Sequence, residues 1–392
     1  MALTLDPDPR ASAYATLATP VVVAAPRRRP LRDAATATLP AWIAARIAVG
    51  FGVVLATVTT DQLGVRHPAP LVDKLLAWDA HHYRDLADHG YRAVPYGFRF
   101  FPLFPLIVRA LGTAFAGHTD VAAIVLANGC AFGLGMAAYR LVLLETANAR
   151  VARLTTWLLL ASPAAVPLAM GYAESLGLLA AVLAFLAVRQ SRWGWAAVAA
   201  GVVGATWSIG ALLVIPMALE AWHGWRDASR RERVLRAGTV VAPLVTTTSY
   251  LLWVQWETGH WYEDVFGVQA HIYHRGFAEP VSRLLHAAHD LLTGHHAEGI
   301  AFPWAVVAIV LLVVVFRRLP LSYAAWSAAI VVIDLGAHNL DSFERYALRA
   351  FPLVIGGALC IRTEREEWLT LSVALAGLVV YTTAILVGAK VP

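Results

Sequence analysis

The residues best suited to chemistry lie in one run, 75–91, which reads LLAWDAHHYRDLADHGY. Leu75, Leu76, Trp78, Tyr83, Leu86 and Ala87 form an imperfect apolar stripe at helical spacing, and Gly90 is placed to end the helix. The expectation is an amphipathic helix at a membrane surface, with Asp79 beside Trp78 at its start. A carboxylate desolvated on one side there has the chemistry of a general base; the same residue also suits a plain helix cap. His81, His82 and His89 stand near Asp85 and Asp88. No HExxH or other closed ligand set accompanies them, so they read as solvated or substrate-facing histidines, and no metal is assigned. The run RFFPLFPL, 99–106, follows, and its two prolines predict a rigid turn with no regular helix before Pro105.

Three further places carry polar groups where apolar ones are expected. Ser162-Pro163-Ala164 interrupts an apolar run, and Tyr172-Ala173-Glu174-Ser175 follows it, leaving Glu174 between two apolar stretches. Asp334 and His338 stand four apart near a span end, as a structural hydrogen-bonding pair. The segment 341–346, DSFERY, places Arg345 at the lip of a span, suited to a phosphate or to snorkelling. A last stretch holds Trp253, Trp256, Trp261, Tyr262, Gln269, His271, Tyr273, His274 and Arg275, which suits an interfacial belt or sugar recognition equally.

The elements that must position these residues are membrane helices. The chain has 392 residues, 59% hydrophobic and 15% charged, with a mean hydropathy of +0.61. Those proportions exclude a soluble enzyme, a disordered chain and a disulfide scaffold. Cys130 and Cys360 both fall in apolar runs and are expected as buried thiols. Apolar runs predict spans near 40–60, 120–144, 154–170, 174–189, 193–207, 210–223, 237–256, 300–316, 321–338, 347–361 and 368–388, with a break around Ser208-Ile209-Gly210. The fold class is therefore an all-α integral membrane bundle of about eleven segments. Residues 1–38 are expected as a disordered cytoplasmic tail, without a signal peptide, and 39–392 as the transmembrane domain.

The formal charge of +5 comes from arginines that gather in alternate loops, which reads as positive-inside topology and not as nucleic-acid binding. With the N-terminus inside, the loops near 61–119 and 257–299 lie outside, the segment 100–117 staying on the outer surface. These two loops hold nearly all the histidines.

Together these pieces resemble the PIG-V-type mannosyltransferases, whose eukaryotic members are the GPI mannosyltransferase II. The resemblance rests on Trp78-Asp79-x-x-His82-Tyr83 with Ala87 and Gly90-Tyr91, then Phe100-Phe101-Pro102-Leu103-x-Pro105. It continues through Ser162-Pro163-Ala164 with Tyr172-Ala173-Glu174-Ser175-Leu176, then Gln269-Ala270-His271, and ends on Ser342-x-x-Arg345-Tyr346 with Phe351-Pro352. The order is the family's, over about 75–352. The chain departs from it at Thr206-Trp207-Ser208-Ile209-Gly210, where an arginine is usual, and at His271, where a tryptophan is usual. A different donor pocket or a divergent, even inactive, member would explain that.

The resemblance implies a membrane glycosyltransferase of the GT-C class, working on the non-cytoplasmic face. Its donor would be polyprenyl-phosphate-mannose and its acceptor a cell-envelope glycolipid, glycan or protein. It implies Asp79 as the base, Arg345 and Tyr346 at the donor phosphate, and His82, Tyr83, Glu174 and Gln269 at substrate hydroxyls. It implies inversion at the anomeric carbon and no cofactor beyond the lipid-linked donor. A pentose donor is the near alternative. A transporter would carry internal repeats and mid-span charges, and a non-catalytic scaffold would tolerate changes at Asp79 and Arg345.

Overall fold

The computed structural model describes residues 30–62, 71–267, 279–294, 299–337, 340 and 342–391. In chain order the helices are α1 (Pro30–Gln62), α2 (Leu71–Leu75), α3 (Asp79–His89), α4 (Leu103–Ala114), α5 (Thr119–Thr146), α6 (Ala149–Ala161), α7 (Glu174–Arg189) and α8 (Trp193–Thr206). They continue as α9 (Val214–Trp222), α10 (Arg230–Thr258), α11 (Pro280–Thr293), α12 (Ala301–Arg318), α13 (Leu321–Leu335), α14 (Phe343–Leu348), α15 (Phe351–Cys360) and α16 (Glu364–Leu386). Among them α1, α5, α10, α12 and α16 are long and apolar enough to cross a membrane. The expected spans fall on these helices, two of them extended by a short 3-10 turn, but that near 347–361 is broken at Arg349-Ala350 between α14 and α15. The turns are Pro163–Leu168 after α6 and Ser208–Leu213 before α9, the second at the expected break.

Helix α1 begins at Pro30, so the last residues of the expected tail are helical; the rest of the tail lies outside the described residues. Proline is tolerated in a first helical turn because its missing N–H has no intrahelical partner there. The same reason corrects the reading of the proline turn. Helix α4 starts at Leu103, ahead of Pro105, with Pro105 inside its first turn.

Close packing comes from small residues. Helix α8 lies along α10. Threonines of α10 donate across the contact, Thr239 to the Trp193 carbonyl at 2.9 Å, Thr246 to Gly201 at 2.9 Å and Thr247 to Gly204 at 3.0 Å. At Gly204 a Cβ would stand 2.3 Å from the Pro243 carbonyl oxygen, so the backbones meet only because it is glycine. Helices α6 and α7 both pack on α5, and α1 closes the bundle between α5 and α16.

The first loop is part of the core and not an appendage. Helix α3 packs on α4 and α5, burying Ala80, Tyr83, Leu86 and Ala87. Its apolar face meets protein, where a face toward lipid was expected. Thr119, which opens α5, donates to Asp88 at the end of α3 at 2.6 Å. From there α5 and α7 both run away from the loop, and the chain returns through α6 and α8. Cys130 is buried, but Cys360 is exposed at the end of α15, contrary to expectation.

Candidate active site

Asp79 is the first residue of α3, and the backbone before it is forced. Trp78 has φ 59° and ψ −133°, a conformation that L residues rarely adopt. Its indole N–H donates to the Ile385 carbonyl at 3.1 Å, fixing it against α16. The result aims the Asp79 backbone N–H at the Tyr172 hydroxyl, 3.1 Å away. No side chain caps α3; the phenol of Tyr172, itself fully buried, accepts in its place.

The carboxylate of Asp79 is shared by two guanidiniums. Arg99 Nη2 is 3.3 Å from Oδ1 and Arg345 Nη1 is 3.3 Å from Oδ2. The Asp79 side chain remains 33% exposed, whereas those of Arg99 and Arg345 are 8% and 4% exposed. Arg345 therefore does not snorkel: α14 holds it inside the bundle. It donates to the Tyr346 hydroxyl at 2.5 Å, and its guanidinium lies 5.5 Å from the Tyr172 ring centre. Its Nε stands 3.8 Å from Glu174.

Glu174 opens α7 with a side chain only 5% exposed, and Arg349 donates to it at 3.1 Å. The Arg349 guanidinium lies 5.0 Å from the Trp207 ring centre and 4.6 Å from that of Tyr346. Trp207 can lie flat on α7 because residue 177 is glycine; a Cβ there would stand 2.3 Å from the indole. Asp334 is buried on α13, within electrostatic reach of Arg349 and Arg345. The result is an alternating array of carboxylates and guanidiniums, with Asp79 at its open edge.

Of the residues expected at a site, Asp79, Glu174, Arg345 and Tyr346 converge. His82 is close by, its ring 3.9 Å from that of His81 and 5.2 Å from that of Phe100. Partial burial, then the neighbouring His81 and Arg99, lower its pKa to about 4, so the imidazole is neutral at physiological pH. Tyr83 lies behind the cluster, packed on Phe100, Phe104 and Tyr172 at 4.9, 5.1 and 6.4 Å between ring centres. It packs there as a core residue. Gln269, His271 and His338 lie outside the described residues, as does most of the loop that joins the π-helical turn Glu263–Gly267 to α11.

Three participants were not singled out for roles in the sequence. Arg99 appeared only as the residue before Phe100, and Tyr172 only as part of a motif. Arg349 lies four residues after Arg345 and stands equally against the expected positive-inside pattern. That shared spacing and shared anomaly was the available signal. Arg349 also supplies a guanidinium beside Trp207.

No family model and no curated protein matches the chain. Solved structures do. ArnT from Cupriavidus metallidurans in the apo state aligns with 20% identity and a TM-score of 0.51, over 83% of this chain and 61% of ArnT. ArnT from the same organism bound to undecaprenyl phosphate aligns at 20% identity with a TM-score of 0.48, again over 83% and 61%. The chain thus spans about three fifths of ArnT's length. At this identity the likeness concerns architecture, and this chain has a polytopic helical membrane fold like that of ArnT.

Proposed function

We propose that this protein is an inverting membrane glycosyltransferase that moves a sugar, mannose by the motif resemblance, from a polyprenyl-phosphate carrier to an acceptor hydroxyl. The acceptor would be a cell-envelope glycolipid, glycan or protein, met on the non-cytoplasmic face. One observation carries the reading. Asp79 and Arg345, separated by 266 positions, meet at 3.3 Å with only the carboxylate open to solvent.

In this reaction Asp79 takes the proton of the acceptor hydroxyl. The freed oxygen bonds to the anomeric carbon as the bond from that carbon to the phosphate oxygen breaks. Attack opposite the leaving group inverts the configuration. The lipid phosphate departs with the bonding pair, and Arg345 with Arg349 stabilises the added negative charge. The proton then leaves Asp79 for water.

The long contacts of Asp79 suit this use. A well-formed ionic hydrogen bond spans about 2.7–2.9 Å, and both guanidiniums sit beyond that. A phosphate that takes Arg345 as its counter-ion withdraws one positive charge from Asp79, making it a stronger base when donor is bound. Neutral His82 can hydrogen-bond a sugar or acceptor hydroxyl without adding charge.

The test is a donor panel with product analysis. Purified protein receives polyprenyl-phosphate-mannose, polyprenyl-phosphate-linked pentose or nucleotide-linked mannose, each of known anomeric configuration. The expected product is an inverted mannoside from the first donor alone. Transfer from the pentose donor alone would change the sugar but keep the mechanism. A retained configuration, or transfer from the nucleotide donor only, would overturn the proposal.

A further inference from the structure

Along the flank of the bundle, α5, α7 and α8 enclose a groove of about 450 Å³ that runs from Leu176, near Glu174, to Gln190 at the opposite end. Along its length it is lined by apolar side chains, among them Leu179, Leu183, Trp195 and Val198. Leu183, Trp195 and Val198 are 39%, 70% and 59% exposed, so the groove opens sideways out of the bundle. Such volumes are typical of small-ligand pockets, about 300–1,000 Å³. One end of the groove is different, because Arg140, Gln190 and Arg192 stand there. Neither Arg140 nor Arg192 has a hydrogen-bonding or ion-pair partner for its side chain among the described residues.

The position of these arginines is set by helix geometry. Arg140 lies 21 residues along α5 from Thr119, or about 32 Å at 1.5 Å per residue. That is the thickness of a bilayer's hydrocarbon core, about 30 Å, and Thr119 is tied to the first-loop helix at the other face. Arg192 is drawn toward the same end by a tight turn after α7, in which its N–H donates to the Ala187 carbonyl at 2.8 Å. Two unneutralised guanidiniums therefore sit at the membrane boundary, at the mouth of an apolar channel that runs into the bilayer depth. A ligand that completes this site has an anionic head and a hydrocarbon chain.

We propose that the groove binds an anionic glycerophospholipid from the leaflet opposite the carboxylate-guanidinium cluster. Arg140 and Arg192 take its phosphate, and one acyl chain lies along α7 and α8. The bound lipid fills the seam beside α7, whose first residue is Glu174, and so supports the helix that presents Glu174 to Arg345 and Arg349. This inference is independent of the transfer reaction.

The test follows thermal unfolding of the full chain in neutral detergent, with phosphatidylglycerol or phosphatidylcholine added. A lipid that binds only the folded state raises the melting temperature. The expected shift is about 2–4 °C with phosphatidylglycerol and none with phosphatidylcholine. The R140Q/R192Q protein loses that increment but melts like wild type in phosphatidylcholine. Leu183→Trp, which narrows the channel and leaves both charges, loses it as well. R230Q/R231Q, which removes two charges at the start of α10, keeps it. Equal shifts in wild type and R140Q/R192Q would overturn the proposal. So would a shift given by polyprenyl phosphate and not by phosphatidylglycerol, which would make the groove a seat for the donor's tail. Self-association that masks the groove and leaves no lipid-dependent shift would overturn it too.

Discussion

Arg189 and Arg345 each stand between two carboxylates at opposite ends of the bundle, the first half-buried and the second buried, and their surroundings differ. Arg189 donates to both oxygens of Glu220 at 2.6 and 2.7 Å and to Glu145 through Nε. Glu145 accepts from Tyr323 at 2.6 Å, and Glu220 accepts from Ser322. No buried polar atom of these five side chains lacks a hydrogen bond. Arg345 stands 3.3 Å from Asp79 and 3.8 Å from Glu174. Around it, among the described residues, Glu174 Oε2, Arg349 Nε, Asp334 Oδ2 and its own Nε make no hydrogen bond.

The helix starts follow the contrast only in part, since α8 and α13 begin at the Arg189 end with no side-chain cap. Asn148 caps α6, Ser229 caps α10 and Thr363 forms a full capping box with Glu366 on α16. These starts belong to the end that holds Arg189. In α3, α7 and α14, which carry Asp79, Glu174 and Arg345, the N-cap residue itself gives no side-chain cap, and at α3 the Tyr172 hydroxyl accepts from the Asp79 N–H instead. A closed ion network holds structure. An open network whose donors and acceptors are only partly used is available to a substrate, and its incomplete bonding is a cost in stability that the rest of the fold offsets.

The largest effect that separates the two ends is on stability. Arg189→Met leaves Glu145 and Glu220 buried without their common cation, and should cost about 3–5 kcal/mol. Thermal unfolding in detergent reads that loss, while transfer per folded molecule stays near wild type; a stable Arg189→Met protein would erase the distinction. At the other end Arg345→Lys keeps the charge but loses the planar fork that faces both Asp79 and Glu174. Transfer should fall about 10²-fold, with a far smaller change in melting temperature than Arg189→Met gives.

Gly177→Ala tests how the site is supported. Its new methyl group displaces Trp207 from beneath Arg349, and the strain should cost about 1–3 kcal/mol. A raised KM for the donor is the result that ties Trp207 to the site; loss of stability alone would leave it a packing residue.

The smallest effect is the pH response of His82. Its folded pKa of about 4 lies below the ordinary value of about 6.5. As pH falls from 6.5 towards 4, the unfolded chain takes up a proton that folded His82 refuses, so stability falls across that window. The drop in melting temperature between pH 7 and pH 5 should be smaller in His82→Gln. An identical drop would mean that His82 is freely titrating.

Much of this architecture was legible in the sequence because one helix records its own burial. Apolar runs marked the spans, Ser208-Ile209-Gly210 marked the break, and helical spacing in 79–89 marked α3. The array itself was legible only in part. Asp79, Glu174 and Arg345 stood out as charges where charges are costly. Which charges pair is decided by contacts across 175 and 266 positions, which no local pattern records. The support beneath Arg349 depends on the fit of Trp207 against Gly177, and the aim of Asp79 on an unusual backbone angle at Trp78. Neither leaves a periodic trace. The face of α3 was misread for a related reason: an apolar stripe fits lipid and protein equally, and only the position of α4 and α5 decides between them.

The most direct measurement compares wild type with Asp79→Asn, in membranes supplied with labelled polyprenyl-phosphate-mannose. Transfer is compared per folded molecule, because the substitution removes the carboxylate that faces the buried Arg99 and Arg345 and should itself lower the melting temperature. Loss of transfer by about 10²–10⁴-fold is the result predicted for removal of the base. Undiminished transfer by folded Asp79→Asn would contradict the account, leaving the open network at this end without its proposed purpose.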